Sequence, residues 1–317
     1  MSLVERLCEA KAVSRGLLSY LPAEVEQLTL RTDPIDYARY SYSVWFRHMT
    51  VLYAFGLRQY PRAIAELGPG PSLGVGLTAL ISGTENYYAL DVSRGMDTDK
   101  EVAVFDSIVE MLKTRQPIPA FKEFPRLQPQ LERYDFPDFL FEPGRLEAML
   151  DRSRLLTLRK ALVNPDSESI IRYVAPWEQS TVSNSSLDLV LSQAVMERVD
   201  DLPLVYGTIA SWLRPGGYTS HSIDFAEPRT SLHWNGNWAH PDWLWALMRG
   251  RRSSWGSRLP HSTHAKVIQA EGLQLVADDV VNDDSGLPRQ RLARRYRDLC
   301  DADLAIRAAF LVAVKPQ

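Results

Sequence analysis

The chain has 317 residues, enough for one sizeable core or a core with an elaborated lid. A formal net charge of −3 gives no bulk attraction to nucleic acid or an anionic membrane, and the two cysteines, Cys8 and Cys300, are too few for a disulfide scaffold and lack metal-ligand spacing. No apolar run reaches transmembrane length and the first residues carry no signal-peptide pattern, so a cytoplasmic protein without a membrane span or nucleic-acid partner is expected. Residues 1–60 read as a helical region ahead of the core. Ser2–Leu21 and Ala23–Leu30 have apolar periodicity broken at Pro22 and at Asp33-Pro34. In the next helix, 37–55, Tyr37, Tyr40, Trp45, Met49, Leu52 and Tyr53 share one side. Two readings stand: an aromatic helix packed over a sheet edge, or a helix whose Tyr37, Tyr40 or Tyr42 closes over a ligand.

Residues 62–91 organise the rest. Ala63–Leu67 is long enough for a buried strand, Gly68-Pro69-Gly70-Pro71 is a tight turn, Ser72–Ser82 has helical spacing, and Tyr87–Leu90 is a second strand ending on Asp91. Strand, glycine turn, helix, strand, acid is the layout of a nucleotide-binding half, with free helix amides facing the ligand. The glycines at 68, 70, 74 and 76 miss the dinucleotide spacing by one residue, and no Gly-Lys-Ser/Thr phosphate loop is present. Glu66, directly before the turn, suits a ligand with positive charge. By itself the glycine run also reads as a plain structural turn.

E-L-G-P-G at 66–70 with A-L-D at 89–91 resembles the first two motifs of the class I S-adenosylmethionine-dependent methyltransferases. The resemblance implies an α/β fold: a doubly wound, mostly parallel seven-stranded sheet with helices on both faces. It implies S-adenosyl-L-methionine as cofactor, lying over Gly68, Pro69 and Gly70. Glu66 would hold the methionine amino group, and Asp91, with Val92 beside it, the ribose.

Ser93–Asn164 delays the next strand and reads as an inserted cap, with helices at Asp99–Leu112 and Leu146–Leu162 around a proline-rich span. Ser169–Val174 is the third strand. The resemblance places the adenine beyond its end, where Ala175 and Trp177 stand, with Glu178 as a further amine acceptor; the family's acid at this point is missing. Ser186–Ser192 is the fourth strand, and the turn at Ser192 and Gln193 is expected to face the cofactor's methyl group, leading into a helix through Glu197. Where related enzymes show Glu-His, this chain has Glu197-Arg198. Asp201–Leu213 is a helix stopped by Arg214-Pro215-Gly216-Gly217, and Tyr218–Asp224 is the fifth strand.

A loop at 225–262 follows, rich in aromatic and amide residues. Trp234, Asn235, Asn237 and Trp238, with Tyr37 and Tyr42, are the candidate substrate-binding residues, and each also suits a hydrophobic lid. His221, Asp224, His233 and His240 are the candidate acid–base residues; no metal site is expected. Arg289–Arg307 reads as mostly helical between the last two strands, Leu273 onward and Ala305–Lys315. ELGPGPSLGVGLTALISG, YYALDVSR, HSIDF and SSWGSRLPHS resemble bacterial methyltransferases of sugar or polysaccharide biosynthesis. This implies methyl transfer to a small-molecule or glycan hydroxyl, with N- or C-methylation or a non-catalytic cofactor-binding scaffold as alternatives.

Overall fold

A computed structural model describes residues 3–20, 34–93, 95, 97–164, 169–227, 231–252 and 255–317. The segment Ala23–Leu30, read above as helical, lies outside the described residues. Seven strands form one sheet in the order β3-β2-β1-β4-β5-β7-β6. They are β1 (Ala63–Leu67), β2 (Asn86–Leu90), β3 (Ile171–Val174), β4 (Leu187–Gln193), β5 (Leu213–Asp224), β6 (Gln274–Asn282) and β7 (Ile306–Val314). β1 to β5 pair in parallel, whereas β7 runs antiparallel to both β5 and β6. This is the mostly parallel seven-stranded α/β sheet that the resemblance implied, and the strand order reverses between β1 and β4.

Both faces of the sheet are covered, which is why its strands are near-continuous apolar runs. Ile64, Leu189, Leu191 and Phe310 face α2 (Pro34–Ala54), α3 (Gly74–Ser82) and α4 (Thr98–Lys113). Ala65, Val190, Ile223 and Leu311 face the other way, toward α7 (Leu202–Trp212) and α9 (His261–Ala270). Strand alternation therefore decides which helix layer each polar residue meets. The early helices divide: α1 (Leu3–Leu18) packs against α8 (Asp242–Arg249), where Ala12, Trp245, Met248 and Trp255 make a separate small core.

Three element readings change. The predicted helix Leu146–Leu162 is two, α5 (Arg145–Met149) and α6 (Arg152–Val163), because Asp151 accepts the Ser153 and Arg154 amides and starts a new helix. Arg214–Gly217 lies within β5 as a bulge, the pairing jumping from Leu187↔Leu213 to Leu189↔Tyr218, with Gly216 at φ 75°. Arg289–Arg307 holds two single 3₁₀ turns and the five-residue α10 (Asp301–Ala305), not a long helix. Its carbonyls are taken by side chains: Arg289 donates to Arg297 O and Leu299 O, and Arg297 Nε to Leu292 O at 2.9 Å.

In the 93–164 insertion, α4 joins the helix layer beside α2 and α3. The irregular chain after it lies along α2, where Arg47 donates to Leu127 O, Pro129 O and Pro119 O. Phe124 reaches the Tyr40 ring, 5.6 Å away and edge-on, so this part of the insertion borders the ends of the strands.

Candidate functional site at the carboxyl ends of the strands

The turn after β1 is fixed by backbone geometry. Gly68 has φ 64° and donates its N–H to Leu90 O at 2.7 Å; a Cβ there would lie 2.6 Å from Val195 Cγ2. Gly70, at φ 69°, has no described residue within 4 Å of where a Cβ would stand, so the turn opens outward here. Its N–H reaches Asp91 Oδ2 at 3.2 Å, and Asp91 Oδ1 accepts the Val92 amide at 2.6 Å. Asp91 and the half-buried Pro69 thus share one lip with the exposed Val92. Gly74 and Gly76 have another purpose: side chains there would collide with Ser41 of α2 and the Tyr87 ring, so they are packing glycines.

Glu66 is buried at the end of β1, on the α2 and α3 side. Tyr87 donates its hydroxyl to Glu66 Oε2 at 2.6 Å, and burial pushes the carboxyl up to about 7, against the pull of that bond and of the Gly76 amide. The start of α3 differs from the expectation of free amides. The carboxylate of Glu101, on α4, accepts the Leu73 N–H at 2.9 Å and the Ser72 hydroxyl at 3.2 Å. A protein carboxylate occupies the place where a phosphate-binding fold offers its helix to the ligand.

Toward β4 and β5 several predicted residues have their side chains engaged inside the fold. Ser192 is fully buried and bonded to His221 Nδ1 at 2.8 Å. The other ring nitrogen of His221 meets Thr219 Oγ1 at 2.5 Å, and Tyr206 of α7 covers the ring edge-on. Burial lowers this imidazole to about 3, so His221 lies under the α7 layer, away from the open edge. His233 bonds to Ser285 O at 2.8 Å, and His240 is buried near Glu9 of α1, its Nδ1 3.8 Å from that carboxylate. His233 lies beside the chain that leaves β6, while neither His221 nor His240 is placed at the open strand ends. Asp224 is: it closes β5, accepts the Ala226 amide at 3.0 Å, and is held above the usual carboxylate range by burial. Gln193, half-buried at the end of β4, links His48 Nε2 at 3.2 Å to Ser222 Oγ at 3.0 Å.

The remaining candidates divide similarly. Half-buried Ala175 follows β3, but the Trp177 ring packs edge-on against Trp212 of α7 at 5.4 Å, and Glu178 caps a 3₁₀ turn. Tyr42 is fully buried and donates to Gln116 O at 2.8 Å, within the helix layer; Tyr37 is half-buried against the same core. Tyr40 is the tyrosine of this helix that senses the site. Burial and then the nearby charges of Glu66 and Glu197 raise its hydroxyl to about 12. In the 225–262 loop, Trp234 donates to Asp283 O at 2.9 Å and Asn235 makes two bonds with the Leu287 backbone. Trp238 donates to Arg258 O at 3.1 Å and stacks on Tyr296. These three build the loop itself; the buried Asn237 Oδ1 has no partner among the described residues.

Sequence reasoning passed over Glu197 as a site residue. It stands in a 3₁₀ turn, not the predicted helix, and burial pushes it up to about 8, opposed by Arg198 and aided by the charge of Asp224. Its signal was an acid four residues past the fourth strand. The edge over β1, β2, β4 and β5 therefore carries four carboxyl groups, Glu66, Asp91, Glu197 and Asp224. Among the described residues no cluster of three or more His, Cys, Asp or Glu side chains could hold a metal ion, and no helix is long and apolar enough to cross a membrane.

No family model and no curated protein matches the chain. Solved structures similar to it include one from the Haloferax volcanii complex of the Trm112 methyltransferase activator with a methyltransferase, 16% identical over 91% of this chain and 98% of that one, TM-score 0.41. Another is Haemonchus contortus phosphoethanolamine N-methyltransferase 2 with S-adenosyl-L-methionine, 13% identical over 92% of this chain, which spans 59% of that one, TM-score 0.43. A third is an S-adenosylmethionine-dependent methyltransferase of Mesorhizobium loti, 14% identical over 84% and 97%, TM-score 0.42. At these values the likeness assigns no activity.

Proposed function

We propose that the protein is an S-adenosylmethionine-dependent methyltransferase acting on the hydroxyl of a small molecule or glycan. The observation that carries the cofactor is the set of acids at the site, which a cation would ionise. Carboxyl groups line the strand ends while Glu101 takes the first amide of α3, an arrangement that favours a cationic ligand and disfavours a pyrophosphate. S-adenosylmethionine carries an ammonium and a sulfonium and, when bound, supplies an already activated methyl group. Asp91 would accept the ribose hydroxyls, the open turn at Gly70 would admit the cofactor's backbone, and Glu66 would face the amino group. Orientation of the acceptor then dominates catalysis. A hydroxyl acceptor is supported by a carboxylate at the end of β5 able to take a proton, with Tyr40 and Phe124 walling the same edge.

Calorimetry with S-adenosylmethionine, S-adenosylhomocysteine and NAD tests the cofactor: binding of the first two and none of the third is expected, and the reverse pattern sinks the assignment. Incubation with labelled donor and a metabolite and glycan extract, followed by mass identification, tests the acceptor. Label found only on nitrogen or carbon would replace the hydroxyl reading.

A further inference from the structure

Glu197 has a feature that structural packing does not account for. Of the buried side-chain atoms without a hydrogen-bond partner among the described residues, its Oε2 is the one carboxylate oxygen. A buried carboxylate oxygen without a hydrogen-bond partner is costly, and such costs concentrate where a ligand supplies the missing partner. The fold nevertheless holds this residue firmly. After β4 the chain hooks over the end of β5: Ala194 adopts φ 56° and donates its N–H to Ser222 O at 2.9 Å. The turn Met196–Arg198 then sits on β5, and the Glu197 carbonyl accepts both the Ser257 amide at 2.8 Å and the Ser257 hydroxyl at 3.1 Å. The backbone is clamped from two sides while one side-chain oxygen is left unanswered.

We infer that Glu197 Oε2 takes the acceptor's proton. The inference rests on the methyltransferase reading above. In the step it describes, the acceptor's O–H bond breaks, the proton passes to Glu197, and the oxygen keeps the electron pair with which it takes the methyl group. The pair of the broken carbon–sulfur bond stays on sulfur, which leaves neutral. The charge of Asp224, at the end of β5, favours the protonated form of Glu197.

The surrounding charges fit a proton held until a cation arrives. Arg198 lies 3.7 Å from Glu197 Oε1, and Tyr40 approaches from α2 with a hydroxyl that stays protonated. Asp224 in turn feels Arg307 on β7, Arg126 of the insertion and Glu227. With the site empty, burial keeps Glu197 protonated up to about 8; a sulfonium beside it favours the carboxylate, and binding expels the proton.

Calorimetry at pH 7 in two buffers of different ionisation heat reads this directly. S-adenosylmethionine should release about one proton more than S-adenosylhomocysteine, whose sulfur is uncharged, and Glu197→Gln should abolish the difference. Glu66 serves as the internal control, since both compounds carry the ammonium: Glu66→Gln should lower release for both alike. Because Gln is neutral and of the same shape, Glu197→Gln should keep the wild-type Tm at pH 7 and the affinity for S-adenosylhomocysteine, while S-adenosylmethionine binds more weakly. The substitution should lower turnover at least 100-fold and remove the rise of rate with pH, while Glu197→Asp restores part of that rise. Equal proton release from the two compounds in the wild type, or an unchanged pH–rate profile in Glu197→Gln, overturns the inference while leaving the methyltransferase reading standing. Failure of both compounds to bind removes that reading and the inference with it.

Discussion

At the ends of β1 and β2 the turn faces outward: none of the described residues stands over Gly70, Asp91 is on the lip, and Glu66 is buried beneath it. In the loop at 225–262 the polar groups face inward: Trp234, Asn235 and Trp238 spend their N–H and C=O groups on Asp283, Leu287 and Arg258. Both stretches look functional in the sequence. The difference is that Gly70 and Asp91 sit on a turn that backbone geometry leaves open, whereas aromatic and amide side chains are large enough to fill a lobe by themselves.

Four experiments would break or sharpen that contrast. The largest effect is expected in the loop. Arg258 is buried, donates to His240 O at 2.8 Å and Asp242 Oδ1 at 2.5 Å, and lies over the Trp245 ring. Arg258→Ala should cost about 3 kcal/mol of stability by stranding those acceptors, seen in denaturant melts, while cofactor affinity per folded molecule stays constant. A selective loss of cofactor affinity would mean the two regions are one site. Next, Asp91→Ala should weaken cofactor binding by roughly 1.5–3 kcal/mol with little change in Tm, since it removes hydrogen bonds to a charged group. Unchanged affinity rejects its ribose role.

The third concerns pH. Glu66 and Glu101 titrate at about 7 and Glu197 at about 8, above the ordinary 4.5, so the folded chain holds more protons than the unfolded one across that span and loses stability as pH rises through it. Buried His48, His221, His240 and His264 are lowered to between about 3 and 4 from 6.5, so they oppose this trend mainly below 6.5, and their opposition fades about one pH unit above it. From pH 6.5 to 8 the empty protein should lose on the order of 2 kcal/mol, and Glu197→Gln should flatten most of that slope. A rise of stability over this window contradicts the buried acids. The smallest effect should come from His221→Asn: about 1 kcal/mol of stability for the bond to Ser192, with turnover per folded molecule retained. A tenfold fall in kcat at unchanged Tm would put a histidine back in the chemistry.

The sheet, its glycine turn and its strand-end acids were legible because each follows from local rules: strand-length apolar runs, left-handed glycines, an acid where a parallel strand stops. Side-chain direction in a layered fold was not. His221 and Ile223 do share a face, as alternation requires, but in a central strand both faces are roofed by helices, so alternation cannot tell an open face from a closed one. The tyrosines of α2 failed differently: residues two apart on a helix diverge by about 200°, so Tyr40 reaches the edge while Tyr42 turns into the helix layer. Glu101 and Glu197 were missed because a carboxyl group's role depends on what is folded over it. For Glu101 that is a helix start 28 residues earlier in the chain, and for Glu197 a segment 60 residues later.

The bond from Glu101 to the start of α3 also bears on how this scaffold could be redirected. A fold that closes its own helix terminus with an internal anion is barred from phosphorylated cofactors by a residue outside the loop that would bind them. Loop grafting alone should therefore fail to convert the site. Replacing Glu101 by a small neutral residue would vacate the amide of Leu73 and create a receptor for inorganic phosphate or sulfate where none existed. The determinant of cofactor class would then be a single side chain on the neighbouring helix, readable as a gain of oxyanion binding.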